Sequence, residues 1–350
     1  MKKIILTLII ILFPTNVLSF NTSAESSILM DMDSKRILYG ENIHQQRSVA
    51  SISKIMTAVL AIESNKLDDV VIIGEEIEKS YGSGIYIQKG EEISLRDLVY
   101  GLMLRSGNDA SYSIAKYVGG DNFVEMMNEK AKEIGMRNTI FNNPNGLEDN
   151  GGNYSTTYDM ALLTSYAMKL EEYRKIVGTK IHKVTTNKNT YLWTNKNKLL
   201  FMYDYTTGGK TGYTDKAKRT LVSTASYNNL NLVAVTLNDG NDFNDHIKLY
   251  KEAYEKYRKI EILKKGELNI YSELYYGNYF LTIRENFSYP ITTYEDVSIK
   301  FELNDTPSEG IVGQAKVMIN SEVVHTQDII SLKIENYAKG FMRWFKKYGK

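Results

Sequence analysis

The stretch SVASISKIMTAVLAIES, Ser48–Ser64, decides how the rest of the chain is read. Ile52, Ile55, Met56 and Val59 recur at helical intervals, which predicts a helix over 51–64 with a face turned to the core. On the same helix Ser51 and Lys54 stand at i and i+3, a spacing that brings their Cβ atoms to roughly 5–6 Å. A serine hydroxyl is a poor nucleophile until an adjacent base takes its proton. Lysine can be that base only when neutral, which needs burial or a second positive charge nearby. The spacing alone is weak, because Ser113-Ile114-Ala115-Lys116 repeats it.

Working outward, SSILMDMD (26–33) and KRILYG (35–40) read as a hairpin around Asp33-Ser34. Helical patterns follow at 94–106, 109–120, 123–135 and 155–170. Strand-like runs return at KVTTNKNTYLW (183–193), RTLVSTASY (219–227) and NLNLVAVTLND (229–239), before a helix at 242–259. Strands at both ends enclosing helices predict one sheet with helices clustered around it, an α+β fold. Beyond Ile260 the helical period disappears. YYGNYFLTIRE (275–285), DVSIKFELND (296–305) and GQAKVMINSE (313–322) instead predict a small β-sandwich-like domain over 259–330.

Composition narrows the chemistry. Lys+Arg 43 against Asp+Glu 42 gives no concentrated basic surface, so no nucleic-acid partner is expected. The chain has no cysteine, which excludes thiol catalysis, disulfides and Cys-ligated metals. Its four histidines (His44, His182, His246, His325) show no metal-ligand spacing, so neither a metal nor imidazole chemistry is expected.

Two further motifs follow Ser51-Ile52-Ser53-Lys54 in order: Ser106-Gly107-Asn108, then Lys210-Thr211-Gly212. Ser106-Gly107-Asn108 falls between two helical patterns, where Gly107 is expected to permit the turn. As a plain interhelical turn, it would have Asn108 capping the next helix. The order of the three motifs resembles that of the penicillin-recognising serine enzymes. DLVYGLMLRSGNDAS (97–111), FNNPNGLED (141–149), YSTTYDMALL (154–163), NKNKLL (195–200) and GGKTGYT (208–214) are similar to the low-molecular-mass D-alanyl-D-alanine carboxypeptidases.

That resemblance implies a β-lactamase/transpeptidase-like domain over 25–258, a helical cluster beside a five-stranded antiparallel sheet with the active site between them. It implies Ser51 as nucleophile, Lys54 as base and Ser106 as proton relay, with no cofactor. Asn108 would hold the substrate's peptide amide, Lys210 its terminal carboxylate, and Thr211 and Thr214 would add hydroxyl donors. Gly212 would leave room for the peptide on an edge strand, and the N–H groups of Ser51 and Tyr213 would form the oxyanion hole. The implied substrates are peptidoglycan stem pentapeptides, with β-lactams as covalent inhibitors. A D,D-endopeptidase, a β-lactamase or a catalytically idle wall-binding protein would share the pocket. Two positions depart from the family pattern, Asn145 for a frequent histidine and Ala217-Lys218 for a frequent Ala-Gly; neither is expected to touch the catalytic set.

The ends carry targeting signals. Lys2-Lys3, the apolar run Ile4–Phe13 and Pro14 read as a secretory signal within 1–24, cut after Ser19 or Ala24. The enzyme is thus expected at the outer face of the cytoplasmic membrane or in the wall. In the last segment, 331–350, six cations oppose Glu335 alone, beside Tyr337, Phe341, Trp344, Phe345 and Tyr348 at helical intervals. This predicts an amphipathic helix that lies on a membrane surface, the alternative being a helix packed on its own domain.

Overall fold

A computed structural model describes residues 20–268, 276, 279–306 and 308–333. Its centre is a five-stranded antiparallel sheet built from β1 (Ser26–Asp31), β2 (Ile37–Glu41), β3 (Thr206–Thr214), β4 (Lys218–Tyr227) and β5 (Leu230–Leu237). The order across the sheet is β2-β1-β5-β4-β3, so β3 is an edge strand. Ile28 pairs with Val235, Val235 with Val222, and Val222 with Lys210, which carries a row of core side chains out to the edge.

Both faces of this sheet are covered, which is why β1 and β5 read as continuous apolar runs rather than alternating ones. Ile28, Met30, Val222, Val233 and Val235 face the helical cluster. Leu29, Ala225, Leu232 and Ala234 face the opposite way, onto Leu249, Tyr250, Ala253 and Tyr254 of the helix at Asp242–Lys256.

The cluster contains α1 (Lys54–Glu63), α2 (Leu95–Tyr100), α3 (Asn108–Val118), α4 (Phe123–Ile134), α5 (Thr157–Ala167) and α6 (Glu171–Gly178). In α1 every residue from Lys54 to Ile62 is buried, so this helix is enclosed on all sides. The pattern at 94–106 is not one helix. α2 widens into a π-helical turn at Gly101–Arg105 and stops at Ser106, whose φ of 63° is left-handed. The strand-like run 183–193 is a hairpin of Ile181–Thr185 with Thr190–Thr194, outside the main sheet.

After Lys256 the chain forms a ribbon and a second five-stranded antiparallel sheet. The sheet has its own core of Leu263, Tyr276, Leu281, Ile283, Val312, Ala315, Val317 and Ile329. It is joined to the first part at the β1–β2 turn. There Arg36 pairs with Glu295 and lies over the rings of Tyr257 and Tyr289, while Lys259 reaches Asp31 and Asp33.

Its last strand runs Glu322–Lys333 and pairs Lys333 with Tyr279. Residues 331–333, expected as the start of the terminal helix, are therefore strand. The remainder of that helix, and residues 1–19 of the signal, lie outside the described residues. Among the described residues no helix is long and apolar enough to cross a membrane.

Candidate active site

The three motifs, distant in sequence, meet where α1, the start of α3 and the edge strand β3 converge. Ser51 lies in a 3₁₀ turn, Ala50–Ser53, that leads directly into α1. In a 3₁₀ turn i and i+3 eclipse, which stacks Lys54 against Ser51 more closely than an α-helix would. Lys54 Nζ lies 3.0 Å from Ser51 Oγ. Ala50, just before Ser51, has φ 49°, a strained value for a residue with a Cβ.

Lys54 is fully buried. Its Nζ also donates to Asn108 Oδ1 at 2.7 Å and to the backbone carbonyl of Asn145. Burial, then the charge of Lys210, push its pKa well below the usual lysine value. A neutral amine has two protons and one lone pair. With two acceptors taking the protons, the lone pair is left toward the Ser51 hydroxyl.

Lys210, 1% exposed on β3, donates to Ser106 Oγ at 2.9 Å and to the carbonyl of Thr211 at 2.6 Å. Burial, then the neighbouring Lys196, lower its pKa to about 7. Lys196 was missed by the motif reading although it sits inside the quoted NKNKLL run. It lines the cleft, donates to Ser83 Oγ at 3.0 Å, and repels both Lys54 and Lys210. The cleft itself, about 500 Å³, is lined by Ser51, Ser83, Ser106, Lys196, Thr211 and Tyr213 among others.

Several expectations need correction. The turn before α3 is made by Ser106, not Gly107, whose φ is an ordinary −59°. Gly107 is small for packing reasons, since a Cβ there would come within 2.9 Å of Asp109 Oδ1. Asn108 does not cap α3; it is the first helical residue, its side chain committed to Lys54 and to the Tyr81 carbonyl.

Thr214 does not offer a free donor to the cleft, because its hydroxyl donates to Glu148 Oε1 at 2.7 Å. Gly212 is needed by the protein as well as by any substrate: a Cβ there would lie 2.4 Å from Thr220 Oγ1 and 3.0 Å from the Ser51 nitrogen. Asn145 does touch the residues expected to be catalytic, since its carbonyl accepts from Lys54. Lys218, at a position often glycine in the family, is held at φ 58°. The other repeat of the first motif is dispersed: Ser113 is buried and bonds Glu76, and Lys116 is exposed.

Comparison with known proteins agrees with this geometry. The family model for D-alanyl-D-alanine carboxypeptidase matches residues 14–241. Bacillus subtilis DacF, named a D-alanyl-D-alanine carboxypeptidase, is 37% identical over 61% of this chain; the match spans 56% of that relative's length. Escherichia coli DacD, of the same name, is 32% identical over 73% of this chain and 69% of its own. Among solved structures, penicillin binding protein 5 from Haemophilus influenzae superposes with a TM-score of 0.78 at 26% identity, over 89% of this chain and 97% of that one. The family model covers more than half of the sequence, all three motifs included, and the chain belongs to the D-alanyl-D-alanine carboxypeptidase family.

Proposed function

We propose that this protein is a serine-type D-Ala-D-Ala carboxypeptidase that removes the terminal D-alanine from peptidoglycan stem pentapeptides. The observation that carries the reading is the buried Lys54, 3.0 Å from Ser51 Oγ, with its other donors already satisfied. Neutral Lys54 takes the Ser51 proton as Oγ attacks the carbonyl of the penultimate residue. Backbone N–H groups of Ser51 and Tyr213 stabilise the oxyanion. Ser106, held by Lys210, passes a proton to the departing amine, and water then hydrolyses the ester on Ser51.

Thr211 lies on the cleft wall beside Lys210, where the terminal carboxylate of the substrate would sit. The reaction so written uses no metal or cofactor. Incubation with a pentapeptide ending in D-Ala-D-Ala should release one equivalent of free D-alanine per peptide. No release from a protein that still reacts with penicillin would overturn the assignment.

Penicillin should inactivate the enzyme rather than be turned over. Asp242, the carboxylate in the cleft lining, is paired with Arg219 at 2.6 Å. Glu148, which Thr214 reaches from β3, is held by Ser48 Oγ and Thr214 Oγ1, both at 2.7 Å, so neither carboxylate is free to aim water at an ester. In the penicilloyl adduct the leaving amine stays tethered and obstructs water. Mass spectrometry should show protein plus one penicillin persisting for minutes; turnover at many equivalents per second would favour a β-lactamase.

The reading extends to the ends of the chain. Residues 259–330 form a separate β domain, and the protein acts outside the cytoplasm after loss of its signal. Ser23 is bonded to Asp239 and Asp245, which favours a cut after Ser19 over one that would remove it. The tail beyond Lys333 holds the enzyme to anionic membrane through its aromatic and basic residues. Truncation after Lys333 should leave D-alanine release intact and abolish binding to anionic vesicles at low salt. Equal vesicle binding by the truncated and full-length proteins would refute the anchor.

A further inference from the structure

The direction of β3 fixes where a bound peptide must leave the cleft. A chain paired antiparallel to this edge, with its C-terminal carboxylate beside Lys210, runs with its N-terminal residues toward Thr214. The acyl-donor part of the substrate therefore exits at the Thr214 end. That end is spanned by hydrogen bonds from one wall to the other. Asn108 Nδ2, on the helical wall, donates to the Tyr81 carbonyl at 2.6 Å. The Tyr81 hydroxyl donates to Asp149 Oδ2 at 2.6 Å. The adjacent Glu148 accepts from Thr214 on the strand wall.

The two halves of this span differ in character. Glu148 is fixed by Ser48 and Thr214 together, and its Oε2 is buried. Tyr81 is 52% exposed, and one side-chain hydrogen bond to exposed Asp149 joins the loops from either side. Acceptance by Asp149 pushes the tyrosine pKa up to about 12, so the hydroxyl keeps its proton at any working pH. An exposed hydrogen bond of this kind can open, whereas the Glu148 half stays in place.

We propose that Tyr81 and Asp149 form a clasp over the acyl-donor exit and determine specificity for the degree of cross-linking of the stem peptide. Closed, the clasp passes a linear pentapeptide whose third residue bears a free side chain. It obstructs a pentapeptide whose third-residue side chain is acylated by a second stem, because the branch arises where the chain leaves the cleft. The inference rests on the carboxypeptidase reading and names the substrate form which that site selects.

The test compares D-alanine release by the full-length protein, Tyr81→Phe and Asp149→Ala. The two pentapeptides used differ only in whether the third-residue amine is free or acylated by a second peptide. Wild type should prefer the linear substrate by about tenfold or more in kcat/KM. Each variant should narrow that ratio at least fivefold, and the double variant no further than either single one, since all break the same bond. No preference in the wild type, or equal losses on both substrates, would overturn the clasp.

Acylation by penicillins with small and bulky N-acyl groups provides a second readout that needs no D-alanine release. If no peptide is cleaved, the carboxypeptidase reading falls, and the small-to-bulky acylation ratio still decides the clasp. A ratio narrowed in both variants supports it; an unchanged ratio refutes it.

Discussion

Ser51→Ala is expected to lose both covalent labelling by a fluorescent penicillin and D-alanine release, the latter by on the order of 10⁴-fold or more. Ser113→Ala should label like the wild type, although Ser113-Ile114-Ala115-Lys116 repeats the same spacing. The structure explains the contrast. Ser51 sits at the cleft with a buried lysine amine 3.0 Å away, so its proton has somewhere to go. The Ser113 hydroxyl is buried beside Glu76, and Lys116 is exposed, turned away from it. Neither substitution should unfold the chain, because no backbone group depends on the Ser51 hydroxyl for a cap. Labelling of Ser51→Ala at the wild-type level would overturn the assignment of the nucleophile.

Four strands of the main sheet and most of the helical cluster were legible from apolar patterning, β1 and β5 as continuous buried runs and the helices by their period. The edge strand β3 was expected only from the resemblance. α1 and α3 to α5 each show a helical repeat in sequence and form as expected. α6, Glu171–Gly178, was not anticipated: Tyr173, Ile176 and Val177 are its only buried residues, too few to establish a repeat. The run 94–106 overshot for a different reason. Leu102, Met103 and Leu104 are all buried, so the apolar signal continues through the π-helical turn, and hydropathy carries no sign of the change in backbone hydrogen bonding.

In the site, the charged and nucleophilic side chains inside the three motifs were legible, while Lys196 and the backbone carbonyl of Asn145, both outside them, were not. Motif order brought Ser51, Lys54, Ser106, Asn108 and Lys210 into one expected group, and hydrogen bonds in the structure link them as Ser51–Lys54–Asn108 and Ser106–Lys210. The Asn145 carbonyl had no sequence signal, since any residue there supplies a carbonyl. The turn was assigned to Gly107 because glycine tolerates φ > 0, yet Ser106 takes that conformation, at a strain expected where function fixes the backbone. Tyr81 and Asp149 belong to loops 68 residues apart, and only the folded chain brings them together.

The pH dependence of kcat/KM should be a bell whose two limbs belong to two lysines. In the proposed mechanism the productive state has Lys54 neutral, to accept the Ser51 proton, and Lys210 charged, to attract the substrate carboxylate. Both pKa values are lowered by burial. Lys54 and Lys210 repel each other and Lys196 repels both, so the two protons are coupled, and the bell requires that Lys54 give up its proton first. Activity therefore rises as pH climbs through the depressed Lys54 value and falls as it passes about 7, where free-enzyme Lys210 loses its charge. Arginine stays charged at any working pH, so Lys210→Arg should carry the falling limb upward while leaving the rising limb in place. Lys210→Ala should cost about 30- to 4000-fold in kcat/KM, the usual loss when one member of a desolvated charge pair is removed. It should also shift the rising limb to higher pH, because Lys54 is relieved of a neighbouring cation. A substrate amidated at its C-terminus has no carboxylate to pair with, so it should show a smaller loss and no falling limb near 7. Equal losses on both substrates would mean that Lys210 acts only by tuning Lys54, and a falling limb unmoved in Lys210→Arg would assign that limb to another group.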